Sequence, residues 1–378
     1  MDFNFSDEQQ QFRDSLMRYL REAYDFDARC AIVRTESGWS RAVWQQLAEL
    51  GALGIALPDA YDGFGGDAFD TLLVMEAFGH ALVVEPYLAT VVLGAGVIAD
   101  AGSDAQRAQV LPAVARGERL LALAYGEPAA RYAPNHVSTT AKKQGDGWVL
   151  DGHKAVVWHG DAADQLIVSA RTAGAVADAH GISLFLVDAR APGVVRHGYP
   201  TQDGLRAAEI TLSGVRVDAE ALIGVQDEGL APLEKAIDRG IAAVCAEAVG
   251  AMQAAIEQTT AYLKTRKQFG VPIGSFQVLQ HRAVDMYVHA EQARSMAYLA
   301  AAKLDAPRNE RRRVLSAAKV LVGQAARYVG QQAVQLHGGI GVTNELAISH
   351  YFKRLTMLAL AFGDVDHHLG RFGEYLEA

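Results

Sequence analysis

Four runs decide the fold: Trp148–Gly152 (WVLDG), Gln165–Ala170 (QLIVSA), Ile182–Val187 (ISLFLV) and Ala208–Val217 (AEITLSGVRV). Each is short, rich in β-branched and aromatic residues, and bounded by Gly, Asp or Pro turns, which is the pattern of strands. Leu166–Ile167–Val168 and Leu184–Phe185–Leu186–Val187 are the best candidates for buried strands. On either side the period changes. Upstream, Ser6 and Gln9 have capping-box spacing ahead of Phe12, Leu16 and Leu20, and Trp44, Leu47 and Leu50 repeat the helical interval. A Gly- and Asp-rich loop, Pro58–Asp67, interrupts it, and helical character resumes from Phe69 through Leu93. Downstream, from about Gly229, the helical period returns and persists to the end. Helix, then strands, then helix predicts an α+β protein in three parts: an N-terminal α-helical domain (residues 1–120), a central β domain (121–228) and a C-terminal helical bundle (229–378).

Composition narrows the function. With 378 residues, half of them hydrophobic, the chain can bury a large core. A net charge of −9 argues against a nucleic-acid surface, which needs a basic stripe. The one basic run, Arg308–Arg313 (RNERRR), is broken by Glu310 and reads as a solvated helix start. Cys30 and Cys245 lack metal or redox spacing and read as reduced thiols of a cytoplasmic protein. The polar start, MDFNFSDEQQQF, has no secretory pattern, and the apolar run Tyr87–Ala99 is too short to span a bilayer, so no membrane partner is expected.

Two motifs could carry chemistry. Arg266–Gly270 (RKQFG) closes a long Ala-rich helix. Its guanidinium could fork a pyrophosphate, although a basic last turn complementing the helix dipole explains it as simply. Gln335–Gly341 (QLHGGIG) holds adjacent glycines, which let a ligand approach the backbone but also merely break helices.

Taken together, RKQFGVPIGSFQ (Arg266–Gln277) and QLHGGIG resemble the acyl-CoA dehydrogenase family. So do LPDAYDGFGG (Leu57–Gly66), GWVLDGHK (Gly147–Lys154), ADQLIVSART (Ala163–Thr172) and YFKRLTMLALAFGDVDHHLGR (Tyr351–Arg371). The resemblance spans the chain. It implies an N-terminal helical domain, a central antiparallel β barrel or sandwich and a C-terminal four-helix bundle. It also implies FAD, an acyl-CoA substrate, dimers or tetramers, and an electron-transferring flavoprotein as electron acceptor. Carried over, Arg266, Gln268, Phe269, Gln277, Gln335, Gly338 and Gly339 would hold the pyrophosphate and adenine end of an FAD whose ring sits in a neighbouring subunit.

The departures are as specific. The family base, a glutamate, falls on Phe362, and the alternative position used by a minority falls on or next to Gly240. Glu247, two helical turns on in an apolar run, is the one substitute base, and a structural ion pair or interface contact is its other reading. In the flavin-ring segments Glu127–Pro128 survive, but Ala129–Tyr132 replace the Gly-Ser-Asp that follows, and Val156–Trp158 replace a Trp-Ile-Thr turn. Arg131 and His159 are the polar groups left there, with surface or loop roles as their alternative. Asp364 and Asp366 stand where donors near the FAD phosphates are usual, and two carboxylates would repel a pyrophosphate. Ring and base groups are lost while groups clasping a neighbour's FAD remain. This resembles the small subunit of heteromeric acyl-CoA dehydrogenases, of the pimeloyl-CoA dehydrogenase type. The alternative is a self-sufficient homo-oligomer with Glu247 as relocated base.

Overall fold

In the computed structural model, which describes residues 5–377, the capping box at Ser6 opens the first helix. Ser6 Oγ accepts from Gln9 N and Gln9 Oε1 accepts from Ser6 N, both at 3.1 Å. That helix is α1 (Asp7–Ala23), and α2 (Phe26–Val33), α3 (Arg41–Glu49), α4 (Ala68–Ala81), α5 (Gly96–Ala101) and α6 (Asp104–Ala115) follow. The strands are β1 (Leu121–Ala124), β2 (Thr140–Gln144), β3 (Gly147–Trp158), β4 (Gln165–Arg171), β5 (Ile182–Asp188), β6 (Val194–Pro200), β7 (Arg206–Val217) and β8 (Leu222–Ile223). Then come α7 (Leu230–Thr265), a hairpin of β9 (Lys267–Gln268) and β10 (Val271–Pro272), α8 (Gln277–Ala302), α9 (Arg308–His337), α10 (Ala347–Leu360) and α11 (Val365–Glu377).

The chain divides into two compact units, and the division falls inside α7. One unit holds residues up to Ala31, Ala68–Val83 and everything from Ile241; the other holds Ile32–Asp67 and Val84–Gly240. The second unit is built on a sheet in the order β6-β7-β3-β2-β4-β5-β8, with β1 on β4. Most pairs are antiparallel, as expected, but β1 and β2 both run parallel to β4. The β4–β5 pairing runs unbroken from Gln165↔Asp188 to Arg171↔Ile182, and Leu166, Ile167, Val168, Leu184 and Phe185 are fully buried. Burial of such side chains contributes about 1.5–3 kcal/mol each. The helical character expected through Leu93 changes form after Ala81. Leu82 turns left-handed (φ 55°), and Leu88–Ala95 winds as a buried π-helix. Thr90 there serves the edge of β1, its Oγ1 donating to Leu121 O at 3.1 Å and accepting from Leu121 N at 3.2 Å.

In the first unit α4 crosses α7 at two glycines. A Cβ on Gly79 would collide with the carbonyl of Glu247, and a Cβ on Gly250 with the carbonyl of Glu76. The helix backbones are in contact at that point. The most apolar window of α7 matches a membrane span in length and composition, yet 83% of it is buried inside the fold. Cys245 lies in that buried stretch, its thiol pushed up to about 12 by burial, and both cysteines are unpaired.

Candidate functional site

The two motifs meet through an aromatic stack. Tyr262, one turn before Arg266, lies on His337, the residue before Gly338, with ring centres 4.4 Å apart and planes at 28°. His337 Nδ1 donates to Ala333 O at 2.8 Å, and burial pushes its pKa below the usual histidine range. The stack puts the ends of α7 and α9 side by side. Arg266 O then accepts from Ile273 N at 2.8 Å, closing the β9–β10 hairpin. Arg266, Gln268, Phe269, Gln277, Gln335, Gly338 and Gly339 are all exposed. Phe269, at 91% exposure and φ 54°, stands at the hairpin tip with Phe276 edge-on at 6.2 Å, which brings the start of α8 and Gln277 to the same end.

This end fits the diphosphate portion of FAD. At Gly270, Gly338 and Gly339 a Cβ would meet no described atom within 4 Å, so the backbone is open to a ligand. Gly338 takes φ 65°, a conformation that side chains disfavour. Arg266 would supply a fork for phosphate oxygens, the glycine amides would supply donors, and Phe269 would supply an apolar face.

Glu247 lies apart from this group, nineteen residues or about 28 Å back along α7 at 1.5 Å per residue. Both of its oxygens are taken by Arg354 of α10: Nε to Oε1 at 2.6 Å and Nη2 to Oε2 at 2.7 Å. Both side chains are buried. A bidentate fork of this kind is a structural pair, and proton abstraction would require Arg354 to let go. Gly240, buried within α7, offers no side chain.

Phe362 sits in a turn fixed from beneath. Lys319 spends its three donors on Leu358 O (3.0 Å), Ala359 O (2.8 Å) and Gly363 O (2.9 Å). His368 Nε2 donates to Phe362 O at 3.2 Å, and its Nδ1 faces Ser316 Oγ at 3.3 Å. Burial, reinforced by Lys319 and His367, drives the His368 pKa down to about 3, and burial draws Lys319 down to about 8. Phe362 is buried and left-handed at φ 58°. The acidic residues beyond it have helical tasks. Asp364 Oδ1 accepts from His367 N at 2.9 Å, capping α11, and Asp366 lies in the first turn, where a carboxylate complements the dipole.

In the second unit the surviving Glu127 is committed inward. It accepts from Ser138 N (2.7 Å), Thr139 N (3.0 Å), Thr139 Oγ1 (2.7 Å) and Lys154 Nζ (2.7 Å). Burial opposes its charge, but Lys154 outweighs that and holds the carboxyl down to about 2, while burial takes Lys154 to about 8. His159 also turns in, its Nε2 donating to Val84 O at 3.0 Å. Arg131 stays exposed. In the segments that the resemblance assigns to the flavin ring, Ala129, Ala130, Val156 and Val157 carry no side-chain hydroxyl, so these four positions offer a flavin ring no side-chain donor. The backbone nonetheless keeps sharp turns there, with Arg131, Val156 and His159 at φ 48°, 52° and 51°. Val156, skipped by a register shift between β3 and β7, gives its amide to Glu209 Oε1 at 3.3 Å. Glu209 is steadied by Tyr199 (2.9 Å) and His153 (2.8 Å).

Arg354, Tyr262 and Glu209 were not legible as site residues. Tyr262 stands one turn from Arg266, which is a usable signal. Arg354 is 107 residues from Glu247, and nothing local marks the pairing.

The chain matches the acyl-CoA dehydrogenase N-terminal, middle and C-terminal domains over residues 6–118, 122–216 and 227–376. It is 30% identical over 368 residues to the probable acyl-CoA dehydrogenase YngJ of Bacillus subtilis, covering 96% of each chain. Among solved structures it resembles the ChsE4–ChsE5 complex of Mycobacterium tuberculosis (TM-score 0.90, 27% identity, 100% and 99% of the chains covered). The butyryl-CoA dehydrogenase of Megasphaera elsdenii is equally similar (TM-score 0.91, 27% identity, 100% of both chains). The chain thus belongs to the acyl-CoA dehydrogenase family, FAD flavoproteins that oxidise a CH–CH bond of acyl-CoA thioesters.

Proposed function

We propose that this chain is one subunit of a heteromeric acyl-CoA dehydrogenase, completing an FAD site whose ring-binding and base-bearing half belongs to a partner chain. The observation that carries this reading is the division of the site. The open glycine backbone and exposed Arg266, Gln268 and Phe269 suit a dinucleotide reaching in from outside, whereas Phe362 holds the base position and Glu127 and His159 are turned inward. The likeness to the ChsE4–ChsE5 complex supports it. The outer face of α8, where Val284, Tyr287 and Val288 stand exposed at i, i+3 and i+4, suits an oligomer contact in either reading. FAD supplies the hydride acceptor when bound. In this reading the residues of this chain bind and orient it: Arg266 and the Gly338–Gly339 amides hold the diphosphate, and Gln268, Gln277 and Gln335 hold the remainder of that end. The acyl-CoA and an electron-transferring flavoprotein are the expected substrate and acceptor of the assembly.

The self-sufficient reading needs Glu247 to act as base, and the Arg354 fork stands against it. FAD extracted from the purified homo-oligomer and counted per chain separates the two. A stoichiometry near zero, restored by co-expression with a second subunit, supports the heteromer. One FAD per chain with dehydrogenase activity overturns it.

A further inference from the structure

The loop after the glycine pair is tied down at Asn344. Its backbone oxygen accepts from His350 Nε2 at 3.1 Å, and its Oδ1 accepts from Lys353 Nζ at 2.7 Å. The other ring nitrogen, His350 Nδ1, lies 3.1 Å from Arg29 Nη1. A guanidinium has no lone pair to offer, so Nδ1 accepts; a carbonyl has no proton to give, so Nε2 donates. Two contacts thus select a single neutral tautomer. Arg29 is 1% exposed and anchored through Nε to Leu82 O at 3.0 Å, so it has little room to retreat. Phe26 closes the ring in edge-on at 5.0 Å.

We propose that His350 is an acid-released latch on the glycine loop: a proton taken up at Nδ1 breaks the bond to Arg29, turns the ring away and releases the Asn344 carbonyl, loosening residues 338–345. The charges that act on His350 are Arg29 from α2 and Lys353 from its own helix, both cationic, and the Asn344 carbonyl is the contact favouring the protonated ring. On the following residue the Tyr351 hydroxyl donates to His80 O, and His80 pairs with Glu257 at 3.1 Å, so α10 keeps a second attachment while the latch opens. Burial and both cations keep the ring neutral to a lower pH than a free histidine. The latch is shut at neutral pH, and among the described residues Lys353 alone holds Asn344 once it opens.

The test is amide hydrogen exchange over residues 338–346 from about pH 5 to about pH 7.5, normalised to intrinsic rates. In the wild-type protein, protection should fall roughly tenfold on acidification, about the worth of one lost hydrogen bond. In His350→Gln, whose amide can accept and donate without titrating, protection should stay flat. Constant wild-type protection, or an equal fall in the variant, overturns the proposal. Should His350→Gln be poorly folded, nitrogen NMR of the wild-type imidazole decides: the Nε2–H tautomer at neutral pH, titrating together with loop opening, supports the latch, and an Nδ1–H tautomer sinks it. Neither readout involves FAD, so the latch can fail while the heteromer reading stands.

Discussion

Glu247 and Arg354 join α7 to α10 through two parallel hydrogen bonds of 2.6 and 2.7 Å, with both side chains buried. Removing one partner breaks a buried charge pair in a low-dielectric interior. Glu247→Gln or Arg354→Met should therefore cost about 3–5 kcal/mol in denaturant unfolding. An apolar pair at both positions should recover much of that, because the desolvation cost disappears with the charges. A Glu247→Gln protein of unchanged stability that has lost only its rate would contradict the structural role.

The crossing of α4 and α7 predicts that Gly79→Ala and Gly250→Ala are each destabilising, since either methyl collides with a carbonyl of the facing helix. About 1–3 kcal/mol or more is expected, read from the shift in urea midpoint. Gly339→Ala, where nothing crowds the new carbon, should leave the midpoint nearly unchanged.

Acid stability should bear the mark of His368. Its folded pKa of about 3 lies below the unfolded value near 6.5, so the unfolded chain takes up a proton first. Between these values stability falls as pH falls, by on the order of 4 kcal/mol over the whole window, and is fully present above it. His368→Gln should flatten that limb of a stability–pH curve. An unchanged slope from pH 6.5 towards 3 would show that the imidazole is not held neutral by its surroundings.

At the dinucleotide end, Arg266→Met should weaken FAD retention in the assembled enzyme by roughly ten- to a hundredfold, with unfolding unaffected because the side chain is exposed. Lysine there should not restore it fully, because an ammonium cannot fork two phosphate oxygens. Fluorescence titration of the apo-complex with FAD reads both variants.

Local signals carried much of the architecture. The Ser6–Gln9 box needs only adjacent residues and formed as its spacing predicts; the β4 and β5 runs are buried along their length apart from a few positions such as Leu186. The exposed motif residues are assigned through the resemblance rather than by residue type, since a guanidinium at a helix end and a glycine pair each have a plainer reading. The rest depended on distant partners. Glu247 in an apolar run signalled a counter-charge without saying which, and the Gly79–Gly250 contact joins residues with no shared pattern. The left-handed turns at Arg131, Val156 and Phe362 were hidden because these side chains argue against that conformation.

Those turns have one more consequence. A left-handed backbone under an ordinary side chain costs on the order of 1–3 kcal/mol, so its shape is imposed by its surroundings. At Phe362 that support is Lys319 and His368, neither of which touches the phenyl ring through the hydrogen bonds they make. The turn is in effect a socket framed by bonds to its main-chain oxygens. An acid put in place of the aromatic at 362 would leave those main-chain bonds in position, so the shape of the turn and the chemistry of its side chain can be varied separately.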